Sequence, residues 1–285
     1  MIICIIGPTG VGKTKLSVEL AKHYNAIVVN ADAMQVYQKL NIGTAKPTNE
    51  EMAGVPHYLF DFVPVNINYT VYDYQRDARN IINANKNKNI VFVGGTGLYL
   101  KAALFDYRFK EETKIKNDFA NLTTPEIYTL ALQKDPKITI HPHNRQRLIR
   151  FLNKEIIPYV EPKILYPAIF IGLTTNRENL YERINKRVDE MFEMGLLKEV
   201  KELYDANIMG KSINTAIGYK ELYDYYKGNI SLSNAKELIK KRSRNYAKRQ
   251  YTWFKHQLPV KWFETDYDNF DNTINDIINA IEKGE

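Results

Sequence analysis

Cysteine is nearly missing from this chain. Its 285 residues contain one, Cys4, so no intrachain disulfide can form and no multi-cysteine zinc site can be built. Cys4 itself reads as a packed residue of the first apolar run. No apolar stretch approaches the roughly 20 residues that a membrane-spanning helix needs. There is no internal repeat and no low-complexity linker, and the Asn/Lys-rich stretch 83–89 reads as a short surface turn. Acidic residues are outnumbered, 33 against 40 Lys and Arg, which leaves a net charge of +7. That imbalance favours an anionic macromolecular partner. Because the chain is also rich in Asn, Lys, Ile and Tyr, as AT-rich genomes encode, the placement of the charge carries more than its sum. The chain opens on a candidate core strand, so a signal peptide is not expected and a cytoplasmic location is.

What is present begins at residue 7. Gly7, Pro8, Thr9, Gly10, Val11, Gly12, Lys13 and Thr14 match G-x-x-x-x-G-K-[ST] at every fixed position. Ile2-Ile3-Cys4-Ile5-Ile6 ahead of it reads as a buried strand, and the stretch 15–22 as the helix after it. Backbone N–H groups and a helix N-terminus then surround a phosphate, with Lys13 as a point charge and Thr14 as a ligand for Mg²⁺. The motif points to a polyphosphate without saying which one.

Strands are expected at 26–30, 58–62, 90–93 and 168–173, with a helix over 71–85 that aligns Tyr74, Ala78, Ile81 and Ile82 on one side. Long helical stretches follow at 178–204 and 231–254, then a late edge strand at 261–263 and a closing helix over 273–283. This order predicts an α/β chain: a P-loop NTPase-like parallel sheet flanked by helices. Between 107 and 167 the pattern turns charged and helical. The expected organisation is a core of 1–107 and 168–285 interrupted by a mainly helical insertion, 108–167.

In such sheets ligands bind beyond the carboxyl ends of the strands. Asp32 follows the second strand, where a carboxylate serves as a general base, a Mg²⁺ partner or a helix cap. Gly94-Gly95-Thr96-Gly97 follows the strand at 90–93; its glycines admit close backbone approach, and Thr96 offers a hydroxyl, for an anion or as a simple cap. Between 236 and 255 lie Lys236, Lys240, Lys241, Arg242, Arg244, Lys248, Arg249 and Lys255 against the single acid Glu237, with Tyr246, Tyr251, Trp253 and Phe254 interleaved. This suits a phosphate backbone and stacked bases, or a solvated helix face with its aromatics turned inward. His141 and His143 lack cysteine or carboxylate partners at zinc-ligand spacing. Arg145, Arg147 and Arg150 beyond them are candidate phosphate contacts.

Taken together, these segments resemble the bacterial tRNA dimethylallyltransferase (tRNA isopentenyltransferase) family nearly end to end. The matching stretches are GPTGVGKT at 7–14, NADAMQVYQKLNIGTAKPT at 30–48, VPHYLFD at 55–61, VGGTGLYLKAAL at 93–104, HPHNRQRLIR at 141–150, RINKRVDEMFEMGLLKEV at 183–200, AIGYKEL at 216–222 and YAKRQYTWF at 246–254. The resemblance implies transfer of a dimethylallyl group from dimethylallyl diphosphate to N6 of the adenosine 3′ of the anticodon, in tRNAs reading codons that begin with U. It implies that residues 7–14, Thr96 and Mg²⁺ hold the diphosphate, and that Asp32 takes the proton of the amine. Ala33, Met34 and Gln35, and Gln146, Arg147, Leu148, Ile149 and Arg150, correspond to tRNA-contacting stretches, and Arg244 and Arg249 are candidates for the same partner. Two positions depart from the pattern. Ala33 stands where many members have Ser, and Lys220 where some place an Arg on the diphosphate. The segment 109–140 is shorter and more divergent than in the family, and a zinc-finger extension of the eukaryotic kind is not expected. A monomer is expected. Competing readings are a metabolite kinase, a transferase acting on free AMP or ADP, and a nucleotide-switched RNA-binding protein.

Overall fold

Neighbouring side chains in a strand point to opposite faces of the sheet, so a run that is buried throughout must be covered on both sides. The computed structural model describes residues 1–109, 119–153 and 161–284, and its sheet has that arrangement. Among the described residues the strands are β1 (Ile2–Ile6), β2 (Ala26–Asn30), β3 (His57–Tyr58), β4 (Asn89–Val93), β5 (Ile169–Thr174) and β6 (Lys261–Glu264). They run in the order β3-β2-β4-β1-β5-β6, and every pairing is parallel.

Helices fill the connections. They are α1 (Lys13–His23), α2 (Asn49–Met52), α3 (Val71–Ala84), α4 (Gly97–Leu104), α5 (Thr124–Lys134), α6 (Arg145–Leu152), α7 (Arg177–Glu193), α8 (Leu196–Asp205), α9 (Lys211–Thr215), α10 (Tyr219–Tyr226), α11 (Leu232–Gln257) and α12 (Phe270–Glu282). On one face Cys4, Ile6, Val29, Phe92 and Phe170 pack under Tyr74 and Ala78 of α3, Leu100 and Leu104 of α4, and Phe254 of α11. On the other, Ile3, Ile5, Val28, Val91 and Ile171 pack under Leu16 and Leu20 of α1 and Ile277 of α12. The alternation of period two thus yields two separate cores. A third core gathers Val36, Leu40, Val188, Leu196, Leu203, Leu222 and Ile239, where α7 to α11 meet the segment after β2.

β1 and β4 are neighbours, yet α1 leaves β1 for one face and α4 leaves β4 for the other. Diverging exits open a crevice at the carboxyl ends of these two strands. The loops expected to carry chemistry lie there.

The expected helix over 178–204 is two helices. Met194 closes α7, and Gly195 opens α8 with φ at 101° in the left-handed region, which breaks the helical path. The strand expected at 58–62 is only His57–Tyr58, because Leu59 and Asp61 both adopt positive φ and turn the chain away from the sheet. Contacts divide the chain into one unit of residues 1–107 and 164–285 and another of 108–163. Ile164 bridges Phe105, and the Leu165 N–H donates to the Leu104 carbonyl at 2.8 Å, which ties residues 164–167 to the sheet unit. Within the second unit, α5 and α6 bury Ile127, Ala131 and Leu148 between them. Its stretches 110–118 and 154–160, parts of the expected insertion, lie outside the described residues.

Candidate active site

The phosphate loop owes its shape to glycine. Gly7, Gly10 and Gly12 all have positive φ, and Gly12 is the left-handed residue on which α1 starts. A Cβ at Gly7 would come within 2.6 Å of the Leu173 carbonyl oxygen, and one at Gly12 within 2.5 Å of the Phe270 ring. The loop therefore lies flush against β5 and α12. Val11 is fully buried and serves the loop through its backbone, its carbonyl accepting from the Thr265 hydroxyl at 3.2 Å.

Lys13 sits over this loop, its Nζ donating to the Pro8 carbonyl at 2.7 Å. Its pKa is lowered to about 7, first by burial and then by the neighbouring Arg187, while Asp32 works against the shift. Arg187 of α7 is also lowered, again by burial, with Glu51, Glu190 and Asp32 opposing. Two desolvated cations share one crevice, a setting that favours a multiply charged anion. Arg183, one turn earlier on α7, donates from Nε to the Gly10 carbonyl at 3.2 Å and stacks on Tyr267 at 3.8 Å. Neither arginine emerged from the motifs. The signal was the i,i+4 pair inside the RINKR segment, whose meaning depends on α7 packing beside the loop.

Lys220, the cation expected on the diphosphate, is exposed on α10, with no side-chain partner among the described residues. The helix start that carries it packs against Gly43 through Tyr219. A cation beside Lys13 in the structure is Arg187.

Asp32 is held by a tight local network. Its N–H donates to Asn30 Oδ1 at 2.8 Å, Asn30 Nδ2 donates back to the Asp32 carbonyl at 2.9 Å, and the buried Tyr74 hydroxyl pins the Asn30 carbonyl at 2.8 Å. Oδ1 accepts the Met34 N–H at 2.9 Å, the Asx turn that makes Asp common at such points. Oδ2 has no partner among the described residues and lies beside Gly95, where an added Cβ would stand 3.4 Å from it. The helix-cap reading fails, since no helix begins at Asp32.

Thr96 joins the β2 and β4 loops. Its N–H donates to the Ala31 carbonyl at 3.0 Å, and its hydroxyl oxygen accepts the Ala33 N–H at 3.0 Å, with the Tyr246 hydroxyl as its further hydrogen-bond partner. α11 braces the loop from behind. Gln250, 5% exposed, donates to the Gly95 carbonyl at 3.0 Å. Trp253 lies so close that a Cβ at Gly97 would come within 2.0 Å of its ring. Tyr246 is raised well above the ordinary phenol range by burial and by Asp32, against hydrogen bonding with Thr96 and Gln250. The crevice thus gathers residues 7–14, Asp32, Thr96, Tyr246 and Arg187.

Other expected contacts separate by exposure. Gln35 spends its amide donor internally, on the Thr44 and Ala45 carbonyls, both at 3.0 Å. Met34 packs partly on the third core. On α6, Gln146, Arg147 and Arg150 are exposed along one side and Ile149 is half-buried, while Leu148 is fully buried and offers no side chain to a partner. Arg145 is also engaged, donating to the Leu122 and Phe119 carbonyls at 2.6 and 2.8 Å. On α11 the cations divide as well. Lys236 and Lys240 pair with Asp189 at 2.7 and 2.9 Å, Arg242 with the buried Glu221, and Arg244 with Asn185. Arg249 remains exposed, over the Tyr246 ring at 5.6 Å.

The half-buried hydroxyl of Thr14, in the first turn of α1, has no hydrogen-bond partner among the described residues and offers a divalent metal a hard oxygen. One protein hydroxyl beside phosphate oxygens suits Mg²⁺, which keeps much of its water and binds through few protein ligands. Among the described residues no helix is long and apolar enough to cross a membrane.

Comparison with known proteins gives a consistent family. The model of a family described as IPP transferase matches residues 35–257. The chain is 41% identical to the tRNA dimethylallyltransferase of Anoxybacillus flavithermus, over 99% of this chain and 96% of that one. It is 43% identical to that of Bacillus subtilis, over 92% and 90%. Among solved structures, the full-length tRNA isopentenylpyrophosphate transferase of Bacillus halodurans is similar with a TM-score of 0.77 at 40% identity, covering 99% of this chain and 95% of that one. A eukaryotic dimethylallyltransferase acting on tRNA is similar with a TM-score of 0.80 at 28% identity, covering 99% and 78%.

Proposed function

We infer the chemistry from one premise: the chain belongs to the IPP transferase family. It is a tRNA dimethylallyltransferase, moving a dimethylallyl group onto a tRNA adenosine. The donor is dimethylallyl diphosphate and the acceptor atom is N6 of the adenosine 3′ of the anticodon, in tRNAs reading UNN codons. The observation that carries this reading is the free Oδ2 of Asp32 in the same crevice as two burial-depressed cations, Lys13 and Arg187.

The backbone N–H groups of residues 7–14, Lys13 and Arg187 receive the diphosphate and neutralise the charge that grows as it leaves. Mg²⁺, held through Thr14 and the diphosphate oxygens, would add Lewis-acid neutralisation of the same charge. The carbon–oxygen bond of the allylic C1 breaks toward the diphosphate, which keeps the electron pair. The lone pair of N6 forms the new C1–N bond. That amine is a poor nucleophile because its lone pair is delocalised into the ring, so its proton must leave as the bond forms, to Asp32 Oδ2. Thr96 turns its hydroxyl from Tyr246 to donate to a diphosphate oxygen. The base must leave the anticodon stack to reach this crevice. Gln146, Arg147 and Arg150 of the 108–163 unit, Ala33 and Met34 beside the base, and Arg249 supply the RNA contacts. The protein works as a monomer in the cytoplasm.

The test is transfer of label from dimethylallyl diphosphate with Mg²⁺, offering an anticodon stem-loop and free AMP side by side. Label in the stem-loop, abolished in Asp32→Ala while RNA binding persists, is the expected result. Label in AMP alone would move the activity to free nucleotides, and label in neither would return the phosphate loop to a kinase or a nucleotide switch.

A further inference from the structure

Glu199 lies on α8, outside the crevice, and its carboxylate makes an unusual set of contacts. Oε2 accepts the N–H groups of Asn41 and Ile42 at 3.1 and 3.0 Å; Oε1 accepts those of Ile42 and Gly43 at 3.2 and 3.4 Å and the Tyr219 hydroxyl at 2.5 Å. Successive backbone N–H groups turned inward form a concave anion site, and here a side chain of the same protein fills it. The Tyr219 ring closes the far side, so that a Cβ at Gly43 would come within 2.5 Å of it.

The clamped loop is the continuation of the segment that carries Asp32. Its Thr44 and Ala45 carbonyls take both donors of the Gln35 amide. Lys46, at its end, donates to the Tyr37 carbonyl at 2.6 Å and to Asp61 at 2.5 Å. The Asp61 N–H in turn donates to the Gln35 carbonyl at 3.0 Å. Gln35 is thereby fixed through side chain and backbone, and the residue before it, Met34, holds Asp32 Oδ1 through its N–H. We propose that Glu199 is a positioning residue for Asp32, acting through the 41–46 loop and Gln35 to fix the direction in which the free Oδ2 faces the acceptor base. This rests on the transferase reading above. The phosphate loop has its own supports in β5, α7 and α12 and shares none of these contacts.

Charge and shape are both needed. Glutamine at 199 turns an NH₂ toward backbone donors and leaves N–H groups unpaired, so the loop must shift although the side chain keeps its size. The experiment compares Glu199→Gln, Tyr219→Phe and Ser212→Ala with the parent in single-turnover transfer to a stem-loop. KM for each substrate and thermal stability are read in parallel. Ser212→Ala removes a 2.6 Å hydrogen bond to the Val65 carbonyl in the same region without touching the loop, and so reports loss of stability alone. The expected result for Glu199→Gln is a fall in the transfer rate of about tenfold or more with KM for dimethylallyl diphosphate within about twofold. Tyr219→Phe, which deletes one donor, should lose about two- to fivefold, and Ser212→Ala should keep the parental rate. A folded Glu199→Gln with the parental rate, or a loss shared by Ser212→Ala in proportion to stability, overturns the proposal. If Glu199→Gln does not fold, Tyr219→Phe decides: a parental rate there overturns it. A parent that labels no stem-loop fails the transferase reading itself, which is a different result from a parent that labels RNA and a variant that labels it equally well.

Discussion

In the proposed function Lys13 makes donor binding a proton-linked event. Burial and Arg187 bring its amine to about 7, so near neutral pH the free protein holds it half protonated. Diphosphate binds the ammonium form, because its negative charge replaces the water that burial removed. The bound pKa therefore rises, and binding takes up a proton wherever the free amine has lost one. The sign follows directly: affinity is full well below pH 7, about half of that at pH 7, and falls toward tenfold per pH unit above it, until the pKa of the bound state is reached. Between pH 7 and pH 9 the protonated fraction drops from one half to about one hundredth, a loss of affinity of about 50-fold. Isothermal titration with dimethylallyl diphosphate, in two buffers of different ionisation heat, counts the protons taken up: about one half per site at pH 7 and nearly one at pH 8.5. The ligand titrates too, so the comparison is with Lys13→Arg, whose guanidinium holds its charge across the range while the ligand behaves identically. The ratio of the two affinities isolates Lys13. A ratio that stays flat from pH 6 to pH 9 would refute the argument, since it would mean that this amine is either charged throughout or not in contact with the diphosphate.

Two further outcomes distinguish parts of the site. Arg187→Met should weaken dimethylallyl diphosphate binding by about tenfold or more, the scale of one buried charge-assisted contact. Lys220→Met in the same titration tests the contact expected of that residue: a matching loss would place both cations on the diphosphate, and an unchanged affinity would leave the second charge to Arg187. Gly97→Ala drives a methyl group into Trp253; the overpacking should destabilise by about 1–3 kcal/mol and lower the melting temperature by several degrees, and an unchanged melting curve would show that α11 does not bear on this loop as described.

How much of this was legible in the sequence depended on distance along the chain. The phosphate loop, Asp32 and Thr96 were legible because each follows a buried run, and the chemistry of a strand end is local. The order of strands and helices along the chain also carried the helix-flanked parallel sheet. Arg187 was not legible, although it stands inside a stretch that had been matched, because a cation on an amphipathic helix has no assigned neighbour until the helix is packed. Leu148 and Gln35 fell within stretches expected to touch RNA, yet one fills the core of its unit and the other ties down a loop. A contact segment contains its own supports, and spacing alone does not tell them from the groups on display. The break at Gly195 was written in the residue type, but a helical pattern on both sides hid it.

The bridge between Phe105 and Ile164 bears on how this chain can change over evolutionary time. Paired residues in such a bridge stand about 5 Å apart, the span of a tight hairpin, so the sheet meets everything from 108 to 163 as one loop with its ends already joined. Closing a loop of twice the length costs only about 0.6 kcal/mol more. The 108–163 unit can therefore be shortened, extended or exchanged as a cassette without disturbing the strand register.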